Sequence, residues 1–230
     1  MESDRGDDNL EDVVPQVVNW NAVCDPAEGI TSKDRDRIAD LAYRGRWKDL
    51  IVAIDSVEPY DVHAGVNSTR LGSKSNFTPL HQAAWAGNAE ACSALIERGA
   101  WRTVQSSDGK RPIDVAVERG HVALERILTP QPIYSPGGEA IEQLQRGLDF
   151  VLNAELLRWR KFPLHYPQVG VLTEIAELSL WVGVPGMYGG FRITLERGPS
   201  LHVDASSRMG GSELYRVNLS GIDFLGHEGY

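Results

Sequence analysis

Cysteine is scarce in this chain, with two among 230 residues, and neither Cys24 nor Cys92 stands at metal-ligand spacing. That usage fits a reducing, cytoplasmic setting. Long hydrophobic runs are missing too. Aliphatic stretches such as Leu50 to Ile54 fall far short of the roughly 20 apolar residues a spanning helix needs, which excludes a membrane helix. Met1 to Asp12 is acidic where a secretory signal would be basic and then apolar, so no export signal is expected. No basic stripe with interleaved aromatics appears, so nucleic acid is not an expected partner. The scattered His63, His121 and His165, and the pair His227-Glu228, form no metal-binding pattern, and no metal or cofactor is assigned.

What is present is acid, unevenly placed. The formal net charge is −9. Residues 1–28 hold eight acids and one base, so the other residues hold 24 acids and 22 bases and are nearly neutral. Residues 1–28 therefore read as an acidic, partly disordered N-terminal segment. Within it, Val13 to Val23 with Trp20 is apolar enough to pack onto the first helical unit.

A repeat is legible further on. Pro112, Ile113, Ala116, Gly120 and Leu128 stand thirty-three residues beyond Pro79, Leu80, Ala83, Gly87 and Leu95. Each matched residue has a physical task. Thr78 caps a helix, Pro79 suits its first turn, Leu80 and Ala83 face a neighbouring unit, and Gly87 ends the helix. Ala89 to Arg98 reads as a second helix stopped by Gly99, and Gly99 to Lys110 as the link to the next unit.

The stretch Thr78-Pro79-Leu80-His81, with Ala83-Ala84, Gly87, Leu95-Ile96 and Gly99, resembles an ankyrin repeat, whose period is 33 residues. The second copy is weaker, since Arg111 replaces the capping Thr and Asp114 replaces the His; terminal repeats are usually atypical, and this one reads as the last. Upstream, Asp34 to Arg44, Gly45 and Trp47 to Ile54 repeat the helix, glycine, helix order. The nine extra residues between this unit and the next fall in Glu58 to Asn76, read either as a tolerated surface loop or as an enlarged contact finger.

Beyond Leu128 the period stops, and Thr129-Pro130-Gln131-Pro132 and Ser135-Pro136-Gly137-Gly138 mark a boundary. Ile141, Leu144, Leu148 and Val151 lie at helical spacing. From Leu178 the apolar period becomes two, with turns at Val184-Pro185-Gly186, Arg197-Gly198-Pro199 and Gly210-Gly211, which describes an antiparallel meander. The expected fold is α+β: a short ankyrin solenoid of about three helix-turn-helix units over residues 29–130, capped by a helix and β-meander over residues 131–230. Because a terminal repeat leaves an apolar face uncovered, the helix around Leu144 and Leu148 is expected to dock on Val122, Leu124, Ile127 and Leu128. His165 to Gly170, and especially Val184 to Phe191 with Arg208-Met209-Gly210-Gly211, resemble a C-terminal extension, of unassigned activity, found on some bacterial ankyrin-repeat proteins.

The resemblance implies one protein partner, met by the fingers and by the two residues before each helix-ending glycine. Those are Tyr43 and Arg44, Trp85 and Ala86, and Glu118 and Arg119. The column Tyr43, Trp85, Glu118 offers aromatic anchors, Phe77, Asp108 and Lys110 join it from the fingers, and Trp101 is either a contact residue or a tether of its finger. His81 is assigned to structure. His202, Asp204 and Ser206 hold the residue types of an acyl-transfer triad, but on a strand they form a line at about 6.6–6.8 Å spacing, without the convergence that activation needs. No catalytic residue is assigned, and the favoured function is a non-catalytic monomeric scaffold, specifically an immunity protein that neutralises a toxin. The alternatives are a C-terminal unit with its own ligand or activity, delivered by the repeats, and a generic regulatory adaptor.

Overall fold

The computed structural model of the protein describes residues 18–20, 32–57, 65–70, 73–157, 164–184, 186–208 and 210–228. Its first half is built from helix-turn-helix pairs. Helix α1 (Ser32–Tyr43) packs on α2 (Trp47–Asp55), and α3 (Pro79–Trp85) on α4 (Ala89–Ile96). Helix α5 (Pro112–Glu118) packs on a 3-10 turn (Val122–Leu124) that runs into α6 (Glu125–Leu128). α1, α3 and α5 form one row, and α2, α4 and α6 a second. Helices this short are not stable alone, so each depends on its neighbours. The shared core contains Leu50, Ile54, Leu80, Leu95 and Leu128, all fully buried and worth about 1.5–3 kcal/mol apiece.

Local chemistry explains where these helices begin. The Thr78 amide donates to His81 Nδ1 at 3.2 Å, and Thr78 Oγ1 lies 2.8 Å from the same nitrogen. His81 Nε2 lies 2.9 Å from the Lys110 carbonyl oxygen. An amide only donates and a carbonyl only accepts, so Nδ1 is the acceptor, Nε2 carries the proton, and the ring is neutral. Burial accordingly holds its pKa down at about 4. One unit later the same task passes to a charged pair: the Arg111 amide donates to Asp114 Oδ2 at 2.9 Å, and the Arg111 guanidinium bonds that carboxylate at 3.0 Å. The weakened second copy thus keeps the cap with different residues.

The second half is built on a six-stranded sheet whose strands lie side by side in chain order, with helix α7 (Gly138–Leu156) on one face. Strands β2 (Ser179–Val184), β3 (Gly189–Glu196), β4 (Ser200–Ser207), β5 (Gly211–Asn218) and β6 (Gly221–Glu228) form the antiparallel meander. Leu180, Val182, Phe191, Ile193, Leu201 and Val203 alternate inward against Leu144, Leu148 and Leu152. The last strand leaves this core: Phe224 and Leu225 are exposed, beside a bulge at Leu214/Tyr215.

Several expectations need correction. Strand β1 (Asn19–Trp20) comes from the acidic N-terminal segment and runs parallel to β2, so Trp20 packs on the sheet and not on the first helical unit. The rest of that segment, residues 1–17 and 21–28, lies outside the described residues. Within Glu58 to Asn76, Val66 and Ser68 are completely buried while Arg70 and Lys74 are exposed, so the described part is not a free loop: it is anchored in the core and reaches the surface at Arg70. Residues 58–64 and 71–72 lie outside the described residues.

The helix around Leu144 and Leu148 also does not cover the last helix pair. Both leucines belong to the sheet's core, whereas Leu124 and Leu128 are buried in the helical core and Val122 stays exposed. The halves meet instead through residues 101–105, against α8 (Val169–Leu172) and the residues flanking it. Glu174 is the centre of this joint. Its carboxylate accepts from the Arg102 amide at 3.2 Å, the Thr103 amide at 2.6 Å and Thr103 Oγ1 at 2.5 Å. Gln105 and Gln168 pair reciprocally beside it, at 2.6 and 2.8 Å. Polar groups fill this joint because residues 101–105 form a bent link whose amides have no helix or strand to pair with.

Candidate partner-binding face

Tyr43, Trp85 and Glu118 are the final residues of α1, α3 and α5. Because these helices lie side by side, residues far apart in the chain form one column across the row. All three are exposed, Tyr43 at 66 % and Trp85 at 47 %. A tryptophan this open on a short helix would be expected to swing freely, yet Trp85 is held from two sides. Phe77 meets its ring edge-on with centroids 6.3 Å apart, and the Arg119 guanidinium carbon stands 4.2 Å from its centroid. Phe77 is itself stacked on His81 at 5.1 Å. The buried capping histidine therefore supports an aromatic ladder that ends at the surface.

The charged members fall into separate groups. Lys110 Nζ reaches Asp108 at 3.2 Å and Glu118 at 2.8 Å, so three of the expected contact residues form one exposed ion-pair chain. The pairing raises the Lys110 pKa, through Glu118 first and Asp108 second. Arg44 lies 3.8 Å from Asp40, and Arg70 bonds the same carboxylate at 3.0 Å while standing 5.8 Å from the Tyr43 ring centroid. Arg119 has no ion pair among the described residues, which leaves its outer face available. Arg70 was not foreseen from sequence, because it lies in the insertion and no local pattern points it at Tyr43.

Trp101 is not a surface contact residue. It is 5 % exposed and stacks on Trp20 with centroids 5.7 Å apart and planes 8° from parallel. Its amide donates to Asn67 Oδ1 at 2.9 Å, and Asn67 Nδ2 donates to the Gly99 carbonyl at 3.0 Å. A large ring that buries this area binds its finger to the sheet, which is the tether of the two expected alternatives.

On β4, Ser206 Oγ donates to Asp204 Oδ1 at 2.6 Å, and His202 stands in register with Thr194 and Arg216. Among the described residues His202 makes no hydrogen bond to either partner, so the three remain a line. No helix of the described chain is long and apolar enough to cross a membrane.

The family model of the ankyrin repeat matches residues 75–106. No curated protein matches the chain. The matched segment holds Phe77, the Thr78–His81 cap, α3 with Trp85 and the whole of α4; the chain therefore contains an ankyrin repeat over these residues, a module that typically mediates protein–protein interaction.

Proposed function

We propose that the three helix pairs are consecutive ankyrin units forming a short solenoid, and that the chain binds one protein partner through the column of Tyr43, Trp85 and Glu118. The observation that carries this reading is Trp85: a large ring exposed to solvent yet fixed by Phe77 and Arg119. Ordering such a ring before binding removes part of the entropy cost of association, and aromatic and Arg side chains are the commonest interface anchors. Arg44, Arg70 and the Asp108-Lys110-Glu118 chain surround it as a polar rim.

The narrower form of the proposal is a non-catalytic, monomeric, cytoplasmic immunity protein of bacterial origin whose partner is a toxin. The test begins with co-purification of the partner from the native host and co-expression with neighbouring gene products. With the partner in hand, Trp85→Ala weakens binding by about 30-fold or more, equivalent to about 2 kcal/mol. Unchanged affinity overturns the face, and failure to protect cells from a neighbouring toxin overturns the immunity role alone.

A further inference from the structure

A cleft of about 550 Å³ opens at the end of the sheet where the β2–β3 and β4–β5 turns lie side by side. Its size falls within the roughly 300–1,000 Å³ typical of small-molecule sites. It lies on the face turned away from α7, since the residues alternating with its lining belong to the core. Trp181 of β2 forms one wall, with its indole nitrogen edge over Gly183. Tyr188 forms another: it is 70 % exposed and sits at φ 52°, a left-handed conformation that a bulky side chain rarely adopts. Between them the floor is formed by Gly189, half-buried and without a side chain, where a Cβ would stand 1.9 Å from the Ser206 carbonyl oxygen.

The polar complement is mixed. Trp181 Nε1 and the Arg208 guanidinium only donate, the Glu228 carboxylate only accepts, and the hydroxyls of Ser212 and Tyr188 do both. Among the described residues none of these five side chains has a hydrogen-bond or ion-pair partner. A simple anion would leave Glu228 opposed, and a simple cation would leave Arg208 opposed. A purely apolar ligand would strip water from all five groups without replacement. A sugar ring meets every requirement, because each hydroxyl donates and accepts at once and the ring's C–H face packs flat against an aromatic wall.

We propose that this cleft binds a neutral saccharide, with Trp181 and Tyr188 as stacking walls and Arg208, Ser212 and Glu228 as hydroxyl partners. This site is separate from the α1, α3, α5 face and does not depend on its reading. The experiment is saturation-transfer NMR on the full chain with four neutral disaccharides of different hydroxyl stereochemistry: maltose, cellobiose, lactose and chitobiose. Adenosine monophosphate serves as an aromatic anion for comparison.

At least one disaccharide receives saturation from the protein, and Trp181→Ala weakens that binding about tenfold or more, a loss of one stacking wall. Tyr188→Gly is the decisive variant. It relieves the left-handed backbone, so the thermal midpoint holds or rises, while removal of the ring weakens the sugar by a similar factor. Trp85→Ala leaves it unchanged. Silence from all four sugars, binding that survives both wall variants, or a response to adenosine monophosphate alone overturns the proposal.

Discussion

The guanidinium of Arg119 lies 4.2 Å from the ring centroid of Trp85, joining the end of α5 to the end of α3 across the exposed row. This contact is a cation–π interaction at a partly exposed site, worth about 0.5–1 kcal/mol. A double-mutant cycle with Trp85→Ala and Arg119→Ala, followed by urea unfolding, is expected to return a coupling energy in that range. A coupling indistinguishable from zero would mean that Trp85 is not held, and the argument for a pre-ordered anchor would fall with it.

Gly87 and Gly120 occupy equivalent positions after α3 and α5, with φ of 69° and 78°. Alanine at either incurs left-handed strain of about 1 kcal/mol. Only at Gly87 is there also a collision: a Cβ would stand 2.7 Å from the His121 ring, which bonds the Trp85 carbonyl oxygen at 3.2 Å through Nε2. At Gly120 nothing lies within 4 Å. Gly87→Ala should therefore destabilise by about 2 kcal/mol and Gly120→Ala by about 1 kcal/mol. In a His121→Ala background the two costs should converge, as measured by denaturant midpoints. If they stay apart, the excess does not come from the histidine.

Much of the helical half was legible because its signals are local. Thr78 and Pro79 start α3 whatever surrounds them, and Gly87 ends it, so a 33-residue offset carries the pattern forward even after Arg111 and Asp114 replace Thr and His. The parts that were not legible depend on partners distant in the chain. Two residues of extended backbone, Asn19 and Trp20, have no period to detect, and only the edge of β2 makes them a strand. Trp101 was ambiguous because its fate rests on Trp20, eighty-one positions earlier. The docking of the halves was misread for a related reason. Apolar count marks Val122 and Leu128 as a face to be covered, whereas the joint is made by Trp101 and Val104 entering the sheet's core and by hydrogen bonds of Glu174 and two glutamines that no hydrophobic pattern announces.

That joint makes a direct prediction. Glu174→Ala leaves the Arg102 and Thr103 amides and the Thr103 hydroxyl without their acceptor in a part-buried site, which should cost about 2–3 kcal/mol. Glu174→Gln keeps one acceptor oxygen and should cost about half as much. Amide hydrogen exchange provides the local readout: protection at Arg102 and Thr103 should fall before protection in α3 or β4. Uniform loss of protection would show that the halves unfold as one unit and that Glu174 is not a separable hinge point.

The neutral state of His81 sets a pH dependence with a definite sign. Burial lowers its pKa to about 4 in the folded protein, against an ordinary value of 6.5. The unfolded chain therefore binds the proton first. The stability associated with His81 is fully present above pH 6.5 and is lost progressively as pH falls from there to about 4, by on the order of 3 kcal/mol. His165 is held down to about 4 as well, by burial and then by the charge of Arg35, and contributes over the same window. The unfolding midpoint of the intact chain should fall between about pH 7 and 5, before most carboxylates titrate. His81→Asn should lower stability at pH 7 by removing the Lys110 bond, yet reduce the pH slope by about half, because His165 still titrates. An unchanged slope would mean that His81 takes up its proton without leaving its bonds to Thr78 and Lys110, contrary to the single tautomer that those bonds require.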